Sequence, residues 1–335
     1  MRKVLLTTTA LVALGGVSAA SAIDISGSYG VEYYSESNTG GSADAADVSG
    51  DTFNQDGLIV FSGSSTADSG LTFGGRMTLS HAGAIEDQQM TISGDFGTIM
   101  GGAQDGMVDG MDGFMQGSAM VENASSTTNG TAAAVNLKTT SMVADNPGTV
   151  KVGFQSNVIS GFQLGYSYED AGSDATSNND VSAWIVTYDL GVAKLGYANS
   201  TTGSTTANGA KLDQSQVGIG TSLAGVTIAA SWGSAKQAGA NGAADTSKID
   251  TRDVGVSYSV DDSTGIYAAF IDSEEKTGTN AGDKMTSSTF GLTYTVAPGV
   301  STVFETASSD YTDNTSGSSN SDGNNNTTAK IVVSF

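Results

Sequence analysis

Leu71-Thr72-Phe73-Gly74-Gly75-Arg76-Met77-Thr78-Leu79 alternates: Leu71, Phe73, Met77 and Leu79 share one parity with Gly75, and Thr72, Arg76 and Thr78 share the other with Gly74. A period of two belongs to a β-strand with one apolar and one polar face. The charge sits in the polar set, so the two faces meet different surroundings. The same split recurs in Ile25, Tyr29, Val31 and Tyr33 against Asp24, Ser26, Ser28 and Glu32, and in Val150, Val152 and Phe154 against Lys151, Gly153 and Gln155. Leu195 and Tyr197 oppose Lys194 and Gly196, Val254, Val256 and Tyr258 oppose Asp253, Gly255 and Ser257, and Ile331, Val333 and Phe335 oppose Lys330 and Ser334.

Read in order, strands come in pairs across tight turns: 56–66 with 71–81, 86–94 with 97–103, 149–157 with 162–170, 180–189 with 191–199, 214–223 with 226–234, 252–261 with 265–273, and 286–297 with 299–308. One strand from Ile23 precedes them and one, Thr328 to Phe335, follows, which makes sixteen. The tight turns use Gly, Asp, Ser and Pro. The alternate connections, such as 35–54, 201–211, 235–250, 274–284 and 310–327, are long and rich in Ser, Thr, Asn, Asp and Gly. Short connections at one rim and long ones at the other describe an antiparallel transmembrane β-barrel of sixteen strands. In a soluble sandwich the apolar faces would instead share a core, and periodicity alone leaves both open. Tyrosines and phenylalanines near strand ends, among them Tyr29, Tyr166, Tyr258 and Phe335, favour lipid. Trp184 and Trp232 read as interface anchors, although Trp184 also fits the polar parity of its strand.

Composition narrows the function. Among 335 residues there are no cysteines, one histidine (His81), two prolines and 45 glycines. That removes disulfides, Cys-ligated metal and thiol nucleophiles, and leaves room for at most one His-dependent site. A rim position for His81 is the plainer reading, so enzyme chemistry is not expected. The net charge of −22 argues against nucleic acid, whose phosphates need clustered Lys and Arg. Residues 1–22 read as a secretory signal: Arg2 and Lys3, an apolar run from Val4, then Ala20-Ser21-Ala22. The expected mature domain is 23–335, without an apolar run long enough for a spanning helix.

The stretch from about 104 to 148 breaks the alternation. It opens with Asp105, Asp109 and Asp112 set among Met107, Met111, Phe114 and Met115. At 100° per residue the Met/Phe set gathers on one side and the aspartates nearly opposite. A short helix gripping the wall through Met107, Met111, Phe114 and Met115 is one reading. A disordered acidic loop outside is the other, favoured by Gly106, Gly110 and Gly113, each costing about 1 kcal/mol in a helix relative to Ala. Carboxylates in a narrow aperture attract cations, and the same three are a calcium candidate, without the spacing of an EF-hand loop.

The signal sequence, the Ile25-Ser26-Gly27 opening strand, the sixteen-strand rhythm, the single long segment after the fifth strand and the terminal Ala329-Lys330-Ile331-Val332-Val333-Ser334-Phe335 resemble the Gram-negative general diffusion porins, more specifically those of Rhodobacter and other alphaproteobacteria. The resemblance implies an outer-membrane homotrimer in contact with lipid and lipopolysaccharide. It also implies a third loop folded into the barrel, passive diffusion of ions and small hydrophilic solutes, and no cofactor. Ile331, Val333 and Phe335 match the family's signal to the barrel assembly machinery. The departure is in the bases. The family sets several arginines against an acidic third loop, whereas here only Arg76 has lumen parity, with Lys151 and Lys194 as candidate replacements; Arg252 reads as outward. The expected pore constriction is therefore Asp105, Asp109 and Asp112 facing Arg76, Lys151 and Lys194, with a preference for cations. A secreted acidic Ser/Gly/Asp-rich adhesin or surface-layer protein is the alternative.

Overall fold

The computed structural model describes residues 23–39, 49–103, 106–117, 150–170, 179–204, 211–238, 246–278, 281–314 and 320–335. The signal expected at 1–22 and most of the 104–148 stretch lie outside them. Sixteen strands form one closed antiparallel barrel in which each pairs with its neighbours in sequence and the first, β1 (Ile23–Thr39), pairs with the last, β16 (Asn320–Ser334). Between them run β2 (Ser49–Thr66), β3 (Thr72–Ser80), β4 (Ile85–Gly94), β5 (Gly97–Ala103), β6 (Val150–Gln155), β7 (Phe162–Glu169) and β8 (Asn179–Asp189). Then follow β9 (Lys194–Ser204), β10 (Lys211–Leu223), β11 (Val226–Ala238), β12 (Ser247–Ser259), β13 (Thr264–Thr277), β14 (Lys284–Ala297) and β15 (Val300–Asp313).

Closure leaves no sheet edge to pair with another chain. The apolar parity faces outward all round: Phe73, Val152, Tyr166, Ile219, Val254, Phe270, Phe304 and Ile331 are all exposed large hydrophobics. A shared sandwich core is therefore not what these faces build. Trp184 lies outward in register with Tyr166, its ring 5.3 Å from that of Tyr197, so it belongs to the outer aromatic set and not to the lumen.

At the short-turn rim, Ser160-Gly161 and Ala224-Gly225 have positive φ at both central residues, the pattern of two-residue type I′ hairpins whose twist suits the flanking strands. Asp261 caps another turn, accepting from the N–H groups of Ser263 and Thr264, both at 2.8 Å. The Ser263 N–H above all holds its carboxyl below the usual carboxylate range. At the opposite rim several strands run further than their alternation predicts. β1 continues to Thr39, β2 begins at Ser49 and not at 56, and β16 begins at Asn320 and not at 328. Backbone pairing carries a ladder past the apolar band, where side chains facing water on both sides lose the period-two signal. His81 stands exposed just beyond β3, its N–H donating to Gly57 O at 2.7 Å.

Candidate functional site

After β5 the chain turns inward. Met107 N–H donates to Ser167 Oγ on β7 at 2.7 Å. Val108 O then accepts from the N–H groups of Met111 and Asp112, each at 3.0 Å, which closes a single helical turn, α1 (Asp109–Asp112). A 3-10 turn over Gly113–Met115 follows, and Gln116 leaves it in extended conformation. Glycines at 106, 110 and 113 hold the helix to one turn, because each adds backbone entropy that a longer helix would have to overcome.

Packing, more than propensity, holds the segment in place. Val108, Met111 and Met115 form a buried cluster with Ala183 and Ile185 of β8 and Ala198 of β9, and Phe114 packs against it. Around this cluster the lumen-facing wall is stripped of side chains. A Cβ on Gly153 of β6 would lie 2.7 Å from Met107 Cγ, and one on Gly165 of β7 would lie 2.5 Å from Met111 Sδ. On β9 and β10, Gly196 and Gly218 receive Met115, and Gly220 meets Phe114. On β12, Gly255 lies directly against Gly117. These glycines form a track crossing seven strands, and the segment from Met107 to Gly117 lies along it. Isolated strand glycines mark places where another backbone approaches closely. That was the available signal: Gly153, Gly196 and Gly255 stand in the polar parity of their strands, where nothing polar is gained from them. The lumen face of β8 is apolar for the same reason, since Val181, Ala183 and Ile185 meet packing there and not water.

The charged candidates divide. Asp109 is exposed, whereas Asp112, expected on the same face and three residues further along the same short helix, is 1% exposed. The two therefore do not share one wet face, and Asp105 lies outside the described residues. Arg76 faces the lumen from β3 and is exposed. Lys151, at 2% exposed, is buried in register with the equally buried Glu169 of β7. Lys194 holds its ammonium 4.6 Å from the centre of the Phe114 ring, a cation–π contact that ties the wall to the segment. Of the three expected bases, Arg76 is thus the one on an open surface. Among the described residues no group of three or more His, Cys, Asp or Glu is placed to hold a metal ion.

Elsewhere the lumen parity carries Asp24, Glu32, Glu36, Asp87, Asp253, Glu275 and Glu305 in addition to Glu169, against Arg76, Lys151, Lys194 and Lys330. Glu32 stands directly opposite Lys330 across the closing seam. Glu305 accepts from Tyr267 Oη at 2.8 Å, both buried, and Glu275 accepts from Ser247 Oγ at 2.8 Å. The interior is a polar, mainly acidic channel wall.

The sequence profile of Gram-negative porins matches residues 7–314. The chain belongs to the Gram-negative porin family. As a porin barrel it is an outer-membrane diffusion channel and not an enzyme. Solved structures agree on the fold: the anion-selective porin from Comamonas acidovorans superposes with a TM-score of 0.73 at 13% identity, covering 94% of this chain and 100% of that one. Outer-membrane-expressed OmpT of Vibrio cholerae gives 0.69 at 14%, over 95% and 99%, and in-vitro folded OmpT in its trimer form gives 0.65 at 13%, over 95% and 100%. Among curated protein sequences none matches. At these identities the porins share architecture, and each chain's selectivity is written in its own side chains.

Proposed function

We propose that this porin is a cation-preferring diffusion pore for ions and small hydrophilic solutes, working as a homotrimer. The observation that carries the preference is the exposed Asp109 on α1, inside a wall where lumen-facing carboxylates outnumber bases. An aperture bordered by fixed negative charge concentrates cations and repels anions. Asp109→Asn is expected to lower the cation-to-anion permeability ratio about fivefold, the order expected from about 1 kcal/mol for one wet charge about 4 Å from the permeating ion. Asp112→Asn, at a buried position, is expected to change it much less. Reversal potentials in salt gradients across planar bilayers measure both, and an unchanged ratio in Asp109→Asn removes this residue from the filter.

The trimer reading is supported by the OmpT trimer form and by the outer face of β2–β5. There Gly63, Gly75 and Gly101 lie beside Phe61, Met77 and Met90 in a shallow apolar groove suited to another copy. A monomeric mass by light scattering in mild detergent would remove it.

A further inference from the structure

We propose that the lumen face of β1–β4 carries a subsite for small zwitterionic solutes, of amino-acid to dipeptide size, held between Arg76 and Asp24. Both side chains take the lumen parity and both are exposed. Asp24 stands in register with Ser62 of β2, and Ser62 in register with Arg76 of β3. One strand therefore separates the two charges, with about 10 Å between their Cβ atoms. Lys151 and Glu169, by contrast, are direct cross-strand neighbours and buried. Among the described residues Arg76 and Asp24 form no ion pair, and neither side chain takes part in a hydrogen bond. Opposite charges set one strand apart in the same wall leave room for a solute between them.

The wall is hollowed at this place. Ser62, Ser64, Gln89 and Thr91 join Asp24 and Arg76 around a cavity of about 380 Å³, within the size range of small-molecule sites. All six take the lumen parity of their strands. Gly74 lies in register between Ser64 and Thr91, and Thr91 Oγ1 is 2.5 Å from where a Cβ on Gly74 would stand, so the hydroxyl reaches over the floor only because that side chain is missing. Gly102, in register with Gln89 on β5, adds no side chain on the far flank. Among the described residues the side chains of Ser62, Ser64, Gln89 and Thr91 make no hydrogen bond to another protein group, so their hydroxyls and amide offer both donors and acceptors to the cavity. A guanidinium holds a carboxylate through its rigid fork, and the Asp24 carboxylate suits an ammonium at the other end. A solute with a single charge would meet one attracting and one repelling group. A zwitterion meets two attracting ones, and without net charge it is indifferent to the acidity of the rest of the wall.

The inference rests on the diffusion-pore reading, so binding is measured without a current. The porin in detergent is titrated by saturation-transfer NMR with glycylglycine as the zwitterion. Three solutes of matched size serve as comparators: N-acetylglycine as anion, glycylglycinamide as cation and N-acetylglycinamide as neutral. Glycylglycine is expected to bind about tenfold more tightly than any of the others, the order for one added hydrogen bond to a charged group. Arg76→Gln should bring glycylglycine down to the level of glycylglycinamide, and Asp24→Asn to that of N-acetylglycine. Gly74→Val fills the hollow with both charges in place and should weaken glycylglycine by a similar factor. Arg252→Gln, on the outward face, is the control and should leave the affinity unchanged. Equal binding of the four solutes, or unchanged glycylglycine affinity in any of the Arg76, Asp24 or Gly74 variants, overturns the proposal. A parent channel without cation preference in salt gradients would instead overturn the selectivity reading and leave this comparison standing.

Discussion

Trimming Met111 and Met115 to alanine is expected to turn one sharp single-channel conductance into a broad, noisy distribution, while the barrel keeps its folded gel mobility. Each methionine is buried, and removing one from a packed site costs about 2–5 kcal/mol. The loss falls on a segment of only one helical turn, whose grip on the wall is largely the fit of Met107, Met111 and Met115 into glycine sockets. The wall is untouched, because its strands are held by their own ladders. A companion variant works in the opposite sense. Gly218→Val places a Cβ 2.5 Å from that of Met115, and overpacking of this kind costs about 1–3 kcal/mol. The segment should yield toward the channel axis and lower the mean conductance. Planar-bilayer recordings check both, and a double alanine variant with parental noise and a single level would show that the segment is held by something else.

The second large effect is expected at the closing seam. Phe335 exchanges two backbone hydrogen bonds with Gly27, Gly27 N–H to Phe335 O and Phe335 N–H to Gly27 O, both 3.0 Å. Its ring covers Gly27, lying 2.9 Å from where a Cβ would stand. Deleting Phe335 removes both bonds and the ring at the end where β1 and β16 meet, a loss of about 1–3 kcal/mol from the two bonds. The folded fraction on unheated gels and the midpoint of thermal unfolding should both fall. Phe335→Tyr, which keeps the ring and the backbone, should restore them. Folding of the deletion with parental yield and midpoint would place closure elsewhere.

Much of the wall was legible from sequence because alternation is local. Sixteen strands, the outward parity of Arg252 and the lumen parity of Arg76 all follow from reading neighbours two residues apart, and the registers agree. Strand ends were less legible: the ladder of β16 starts eight residues before its apolar alternation, where polar side chains on both faces give no period. The 104–148 stretch was legible as a departure, and its heptad-like spacing brought Met107, Met111, Phe114 and Met115 together. It did not foresee that Asp112 turns inward while Asp109 stays wet. A helical wheel gives a direction around an axis but not the surface that axis lies on.

The sequence by itself determined the sixteen strands, their two faces and the acidic balance of the polar one, because each is set by side-chain polarity repeated at a fixed local period; that the apolar faces turn outward around one closed barrel is set by the pairing of β1 with β16. Only the tertiary structure decided which lumen positions are wet. Gly153, Gly165, Gly196, Gly218 and Gly255 come from strands as much as about a hundred residues apart, and they become one track only when the sheet closes and brings them to one height. Closure likewise buries Lys151 against β7 and holds Lys194 over Phe114. Those placements depend on contacts between distant strands, and contact is what buries a charge, leaves it in water or offers it to lipid.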